Sequence, residues 1–330
     1  MAVPAFRRNK VKIRESGLWA QPAPAGHAHR QERRPPGRQD VAPKDKDSTI
    51  RIAERSRQEQ QSTEGRESML RRIFLLFSFG LLLCGATQAQ DLNAYEKRRY
   101  VDSQGNSLPY RILFPERYDH GKRYPLVLFL HGAGERGKDN ELQLTHGASL
   151  FLKDENRKGF PAFVVFPQCP QDAWWAAVDL DVNHTPIALD FDYSRKITAV
   201  LKSAVELTQM LIKKERVDSK RIYIVGLSMG GMGTFEAVFR YPGLFAAAIP
   251  ICGGGDSKAY DKRVAKIPFW IFHGAQDDVV DVKYSREMYA RLRELKAEVK
   301  YTEYPGIQHE SWPYAFAEPQ FLPWLFSKKR

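Results

Sequence analysis

Cysteine is scarce in this chain, with Cys84, Cys169 and Cys252 the only three among 330 residues. Three thiols cannot build the disulfide framework of a small, bridge-dense fold. Cys169 and Cys252 follow different expected strands, and the sequence places no two Cα atoms within bridging distance; both read as free, buried thiols. Histidine is sparse too. His131, His146, His184 and His273 are scattered and lack the close pairing of zinc ligands, so no metal site is expected. No internal repeat is visible, which excludes a solenoid or propeller array. The apolar core from Ile73 to Leu83 is too short for a comfortable membrane span. Acidic residues are outnumbered, 39 Asp and Glu against 51 Lys and Arg, for a formal net charge of +12.

That charge is unevenly held. Residues 1–90 carry 17 Lys and Arg against 9 Asp and Glu, leaving 34 against 30 from Asp91 onward. The remainder is only about +4, a solvated surface rather than a nucleic-acid face. Residues 1–68 are rich in Arg, Gln, Pro, Ser and Glu, with no sustained apolar period. Such a composition buries too little surface to offset ordering entropy. Met69-Leu70-Arg71-Arg72, the apolar core and Ala86-Thr87-Gln88-Ala89 then have the order of a secretory signal peptide. The expected organisation is a disordered or non-native upstream extension over 1–68, a signal peptide over 69–90 and a catalytic domain over 91–330. A secreted or periplasmic product without a stable membrane anchor follows.

The chemistry concentrates downstream. The apolar run Arg221 to Val225 leads into Gly226-Leu227-Ser228-Met229-Gly230, a G-x-S-x-G elbow at a strand-to-helix junction. The turn is so sharp that residues two positions either side of the serine must be small, and it aims the following amide at a developing oxyanion. Ile267 to Phe272 reads as a buried strand, with His273-Gly274-Ala275-Gln276-Asp277-Asp278 just past its end. Another strand pattern at 299–304 and the turn Pro305-Gly306 precede His309. Serine is inert until a base takes its proton, imidazole titrates near neutrality, and a carboxylate orients the imidazole. Upstream, the strand pattern at 125–130 opens into His131-Gly132-Ala133-Gly134-Glu135-Arg136-Gly137, whose glycines let backbone approach a substrate oxygen.

Together LHGAGERG, GLSMGGMGTFEAVFRYP, PICGGGD, HGAQDDVV and YPGIQHESW resemble the secreted α/β-hydrolases related to prolyl oligopeptidase and dienelactone hydrolase, which include phospholipase/carboxylesterase and feruloyl-type esterases. The resemblance covers roughly residues 95–330. It implies Ser228 as nucleophile, His309 as general base and Asp277 as the acid, with Asp278 the neighbouring carboxylate. It also implies an oxyanion hole from the amides of Ala133 and Met229, with Gly134 a substitute for the former. No cofactor is implied.

The rest of the pattern predicts an α/β fold with a mostly parallel central sheet covered by helices on both faces. Two antiparallel strands open it, around 100–101 and 110–114. Further strands are expected at 163–166 and 246–251, and helices at 193–216, near 282–296 and at the C-terminus. Residues 171–192 are too long for a plain loop and read either as a lid or substrate wall or as a loop packed by Trp174 and Trp175. Trp174 and Trp312 are the candidate substrate contacts. The expected function is a secreted serine hydrolase that cleaves carboxylic esters, acetyl- or feruloyl-type among them, on small molecules or polysaccharides. The alternatives are a peptidase of the prolyl oligopeptidase type and a non-catalytic binding module. The oligomeric state is not legible.

Overall fold

The computed structural model describes residues 91–102 and 104–330; the expectations for the upstream extension and the signal peptide lie outside them. An eight-stranded sheet runs in the order β1-β2-β4-β3-β7-β8-β9-β10. Its strands are β1 Glu96–Val101, β2 Ser107–Leu113, β3 Tyr124–Leu130, β4 Phe163–Pro167, β7 Val217–Leu227, β8 Ala247–Ile251, β9 Phe269–Gly274 and β10 Val299–Tyr304. Strand β1 pairs antiparallel with β2, and β2 pairs antiparallel with β4; across this sheet from β4 to β10 every pairing is parallel. This is the α/β-hydrolase arrangement that the strand patterns predict.

The central strands are apolar on both faces because both faces are covered. Along β3, Leu126, Leu128 and Leu130 enter one hydrophobic cluster while Val127 and Phe129 enter the other. The first cluster receives Leu201, Ala204 and Leu207 of helix α3 (Ala199–Lys214), Phe235 of α4 (Met229–Arg240), and Met288 and Leu292 of α5 (Lys283–Glu294). The second receives Phe151 of α1 (Ala148–Leu152), Ala315 of α6 (Trp312–Ala317) and Leu325 of α7 (Phe321–Ser327). A short helix α2, Asp154–Gly159, precedes β4.

Four boundaries differ from the sequence pattern. The helix expected from 193 begins at Ala199, because the Thr198 hydroxyl accepts from the Leu201 amide and caps it there. Strand β7 begins at Val217 rather than Arg221. Within it the Asp218 carboxylate takes the Lys220 amide and the Arg221 guanidinium, and the pairing to β3 shifts register around that point. The single C-terminal helix is two, parted at Pro319, whose ring cannot continue α6. Residues 171–192 carry a two-stranded hairpin, β5 Val178–Asp181 and β6 Ala188–Phe191.

Candidate active site

Ser228 stands between β7 and α4 with φ +53° and ψ −118°, a conformation that costs an L-residue about 1–3 kcal/mol. Tight packing holds it. A Cβ at Gly226 would lie 2.2 Å from the Gly230 carbonyl oxygen, and one at Gly230 would lie 2.0 Å from that of Leu130. The two flanking glycines are therefore steric necessities. The turn presents the Ser228 hydroxyl at the C-terminal ends of the parallel strands, where open α/β sheets carry their sites.

His309 Nε2 lies 2.9 Å from Ser228 Oγ, and His309 Nδ1 lies 2.8 Å from Asp277 Oδ2. The loops bearing the histidine and the aspartate are knitted together at the ends of β9 and β10. The Ala275 amide donates to the Tyr304 carbonyl and the Gln276 amide to that of Ile307. A Cβ on Gly274 would meet the Gln308 carbonyl at 2.1 Å, so glycine is what allows the loops to close. Asp277 Oδ1 accepts from the amides of Val279 and Val280, at 2.9 and 2.8 Å. Burial pushes the Asp277 carboxyl up, but donors from His273, His309 and the Val280 amide outweigh it and hold it well below the usual carboxylate range. Asp278 points elsewhere; it is exposed and lines an adjoining cleft.

The loop after β3 runs beside the serine, since a Cβ on Gly132 would fall 3.7 Å from Ser228 Cβ. Ala133 opens a 3-10 turn and Met229 opens α4, so each amide is one of the free donors at a helical N-terminus. Gly134 lies inside that 3-10 turn. The loop is anchored by His131, whose Nε2 accepts from the Cys169 amide at 2.9 Å and whose Nδ1–H donates to the Gly132 carbonyl at 2.7 Å. Burial, with a smaller push from Arg136, lowers this imidazole to about 4 against the pull of the Gly132 carbonyl. Arg136 Nε donates to the Ala133 carbonyl, and its guanidinium lies 5.0 Å from the Trp174 ring. Glu135 contributes a buried oxygen, Oε2, with no hydrogen-bond partner within the molecule.

Of the aromatic residues, Trp312 is buried and meets His309 edge-on, ring centroids 5.6 Å apart. Trp175 is fully buried, and its indole N–H donates to the His131 carbonyl. The hairpin is tied down at several points. Ala177 donates to Glu236 on the elbow helix, Leu189 donates to the Tyr284 hydroxyl, and Ile187 donates to the Val279 carbonyl beside Asp277. Residues 171–192 thus brace the acid loop, and their tryptophans pack against the core and Arg136.

Sequence reasoning missed the surroundings of the acid. His273, which the sequence pattern places only just past a strand end, has its Nε2 3.0 Å from Asp277 Oδ2. The four-residue spacing just past a strand end was the available signal. Cys252 Sγ, an Asp277 oxygen and a His309 nitrogen lie within 4.8 Å of one another, a donor set of zinc type. In this geometry the aspartate and histidine serve each other and Ser228, and burial raises the Cys252 thiol far above its usual range. Cys169 and Cys252 are both buried and unbridged. A cleft of about 750 Å³ adjoins His309, lined by Gln276, Asp278, Gln308, Glu310 and Tyr314 among others.

A serine on an elbow, hydrogen-bonded to a strand-end imidazole in an α/β-hydrolase sheet, defines the class: this is a serine hydrolase of the carboxylesterase type. The chain belongs to the phospholipase/carboxylesterase family, whose model matches residues 118–320. A probable carboxylesterase of Arabidopsis thaliana is 27% identical over 195 residues, covering 56% of this chain and 71% of that protein. Among solved structures, a thermostable esterase is 36% identical with a TM-score of 0.66, covering 72% of this chain and 64% of that one. A ferulic acid esterase from Anaeromyces mucronatus shares the fold, with a TM-score of 0.53 at 16% identity over 69% of this chain and 89% of its own. The chain thus spans less than two thirds of the thermostable esterase.

Proposed function

We propose that the protein is an exported hydrolase that cleaves carboxylic esters through an acyl-enzyme on Ser228. The continuous hydrogen-bonded chain from Ser228 through His309 to Asp277, at 2.9 and 2.8 Å, carries this reading. Ser228 Oγ attacks the ester carbonyl while His309 Nε2 takes its proton. The oxyanion rests on the amides of Met229 and Ala133; losing one such donor typically costs about a hundred- to a thousandfold in rate. The tetrahedral adduct collapses, and His309 returns the proton to the departing alcohol. Water, activated by the same imidazole, then releases the acid. Asp277 keeps Nδ1 protonated and stabilises the imidazolium.

For substrate we assign a short acyl or aromatic acid esterified to a small molecule or a polysaccharide. Two amides, two carboxylates and a half-exposed Tyr314 in the cleft beside His309 suit a hydroxyl-rich alcohol. Trp312, against His309, and Trp174, coupled through Arg136 to the Ala133 loop, are our candidates for the aromatic side of the site. The domain reading stays as an upstream extension over 1–68, a signal peptide over 69–90 and the catalytic domain from 91, with a secreted or periplasmic product. Neither a nucleic-acid partner nor a stable membrane anchor belongs to this reading. N-terminal sequencing of the native protein checks the processing, with a start near Gln90 or Asp91 expected. A fluorophosphonate probe should label Ser228; an unlabelled protein would mean a binding module. A panel of p-nitrophenyl acetate, longer acyl esters, methyl ferulate and a peptide amide then ranks the acyl groups.

A further inference from the structure

Asp277 sits between two imidazoles. His309 occupies one side; on the other, His273 is fully buried at the end of β9. Its Nε2 lies 2.9 Å from the Val280 carbonyl and 3.0 Å from Asp277 Oδ2. Both are acceptors, so Nε2 carries a proton. Its Nδ1 lies 2.7 Å from Ser285 Oγ, and that hydroxyl lies 2.9 Å from the Gly253 carbonyl, a further acceptor. Ser285 has one proton to give. Directed to Nδ1, it leaves the buried Gly253 carbonyl without this partner. Directed to Gly253, it requires Nδ1 to hold a second proton and donate to Oγ. Only the second arrangement satisfies every group, and buried polar groups are overwhelmingly satisfied.

We propose that His273 is a positioning residue for the reaction, a doubly protonated imidazole in a buried ion pair that aims Asp277 Oδ2 at His309 and offsets part of its charge. The proposal rests on the Ser228–His309–Asp277 reading. The other titratable groups facing this ring are accounted for. Glu303 on β10 is its register partner and is occupied by Arg286 and Tyr301. The Cys252 thiol, near Asp277 in the loop after β8, is kept protonated by burial. His309 faces the carboxylate from the opposite side. A cation behind the acid weakens the stabilisation that Asp277 gives to the His309 imidazolium, and removing that cation should strengthen it.

Long-range ¹H–¹⁵N spectra of the full chain near neutral pH should show both nitrogens of His273 protonated, the signals being those absent from His273→Gln. An unprotonated Nδ1 overturns the proposal. In pH profiles with p-nitrophenyl acetate, His273→Gln should move the acidic limb of kcat/KM up by about one pH unit and lower kcat about tenfold, with KM nearly unchanged. An unshifted limb refutes the electrostatic role. If that variant fails to fold, Ser285→Ala removes only the acceptor for Nδ1–H, and should shift the limb the same way and leave Nδ1 unprotonated; no change in either refutes it. Turnover surviving in Ser228→Ala would bring down the triad while leaving the proton count of His273 standing. A neutral His273 beside a working triad would defeat this proposal alone.

Discussion

Ser228, His309 and Asp277 come from three separate loops, 49 and 32 residues apart in sequence, yet meet at hydrogen-bond distance. Ser228→Ala and His309→Ala should each abolish esterase turnover with the far-UV spectrum and melting temperature preserved. Because such groups act as a unit, the double variant should be little worse than either single one. Steady-state rates of purified proteins decide this, and substantial turnover in Ser228→Ala would end the assignment. The adjacent carboxylates give a sharper test. Asp277 receives two amides and stands against His309, while Asp278 is exposed in the cleft. Asp277→Asn should cost several orders of magnitude in kcat, as a wrong imidazole tautomer does, and Asp278→Asn less than about tenfold. The reverse ranking would show that the other carboxylate serves the imidazole.

The loop after β3 depends on the protonation of one side chain. His131 is neutral in the fold, since Nε2 must accept from the Cys169 amide, and burial lowers it to about 4. An unfolded histidine takes up its proton near pH 6.5, so between those values the unfolded chain binds more protons than the folded one. Stability from this group is therefore present above about pH 6.5 and lost as pH falls through about 4, by about 3 kcal/mol. Melting temperatures measured from pH 7 to 4 should fall, and His131→Gln should flatten that slope. An equally steep slope in the variant would place the acid sensitivity elsewhere. The hairpin β5–β6 adds a second device at this scale, because Ile187 donates to the Val279 carbonyl while the Val279 and Val280 amides hold Asp277.

The whole described domain bears on bond preference. The described residues form one large sheet with its covering helices and one bracing hairpin, and none of the described elements builds a gating domain. Amide cleavage requires the leaving nitrogen to be protonated and the peptide held in register, whereas an alcohol departs more readily. The expected ratio of kcat/KM for acetyl or feruloyl esters over matched peptide amides is at least about a hundredfold, roughly 2.7 kcal/mol in barrier. Peptides cleaved as well as esters would replace this reading with a peptidase. Competition assays on paired substrates measure the ratio directly.

What could be read from residues alone was whatever a local pattern encodes. Apolar runs such as Tyr124–Leu130 name buried strands, and G-x-S-x-G names a turn that only small flanking residues permit, so the sheet, the elbow and the order Ser, Asp, His were legible. Element ends were less so, because they depend on single hydrogen bonds: the Thr198 cap, the Asp218 side chain inside β7, the missing N–H of Pro319. The choice of Asp277 over Asp278 at His309 needed the folded loops, since adjacent side chains diverge according to backbone direction. So did the second imidazole, for His273 gains its partners Ser285 and Gly253 from α5 and the loop after β8. The packing of Trp174 and Trp175, and the bracing role of 171–192, likewise depended on which surfaces lay opposite. Periodicity and turn chemistry are properties of neighbours along the chain. Proton placement and charge balance around Asp277 are properties of neighbours in space, and only the tertiary structure could decide those.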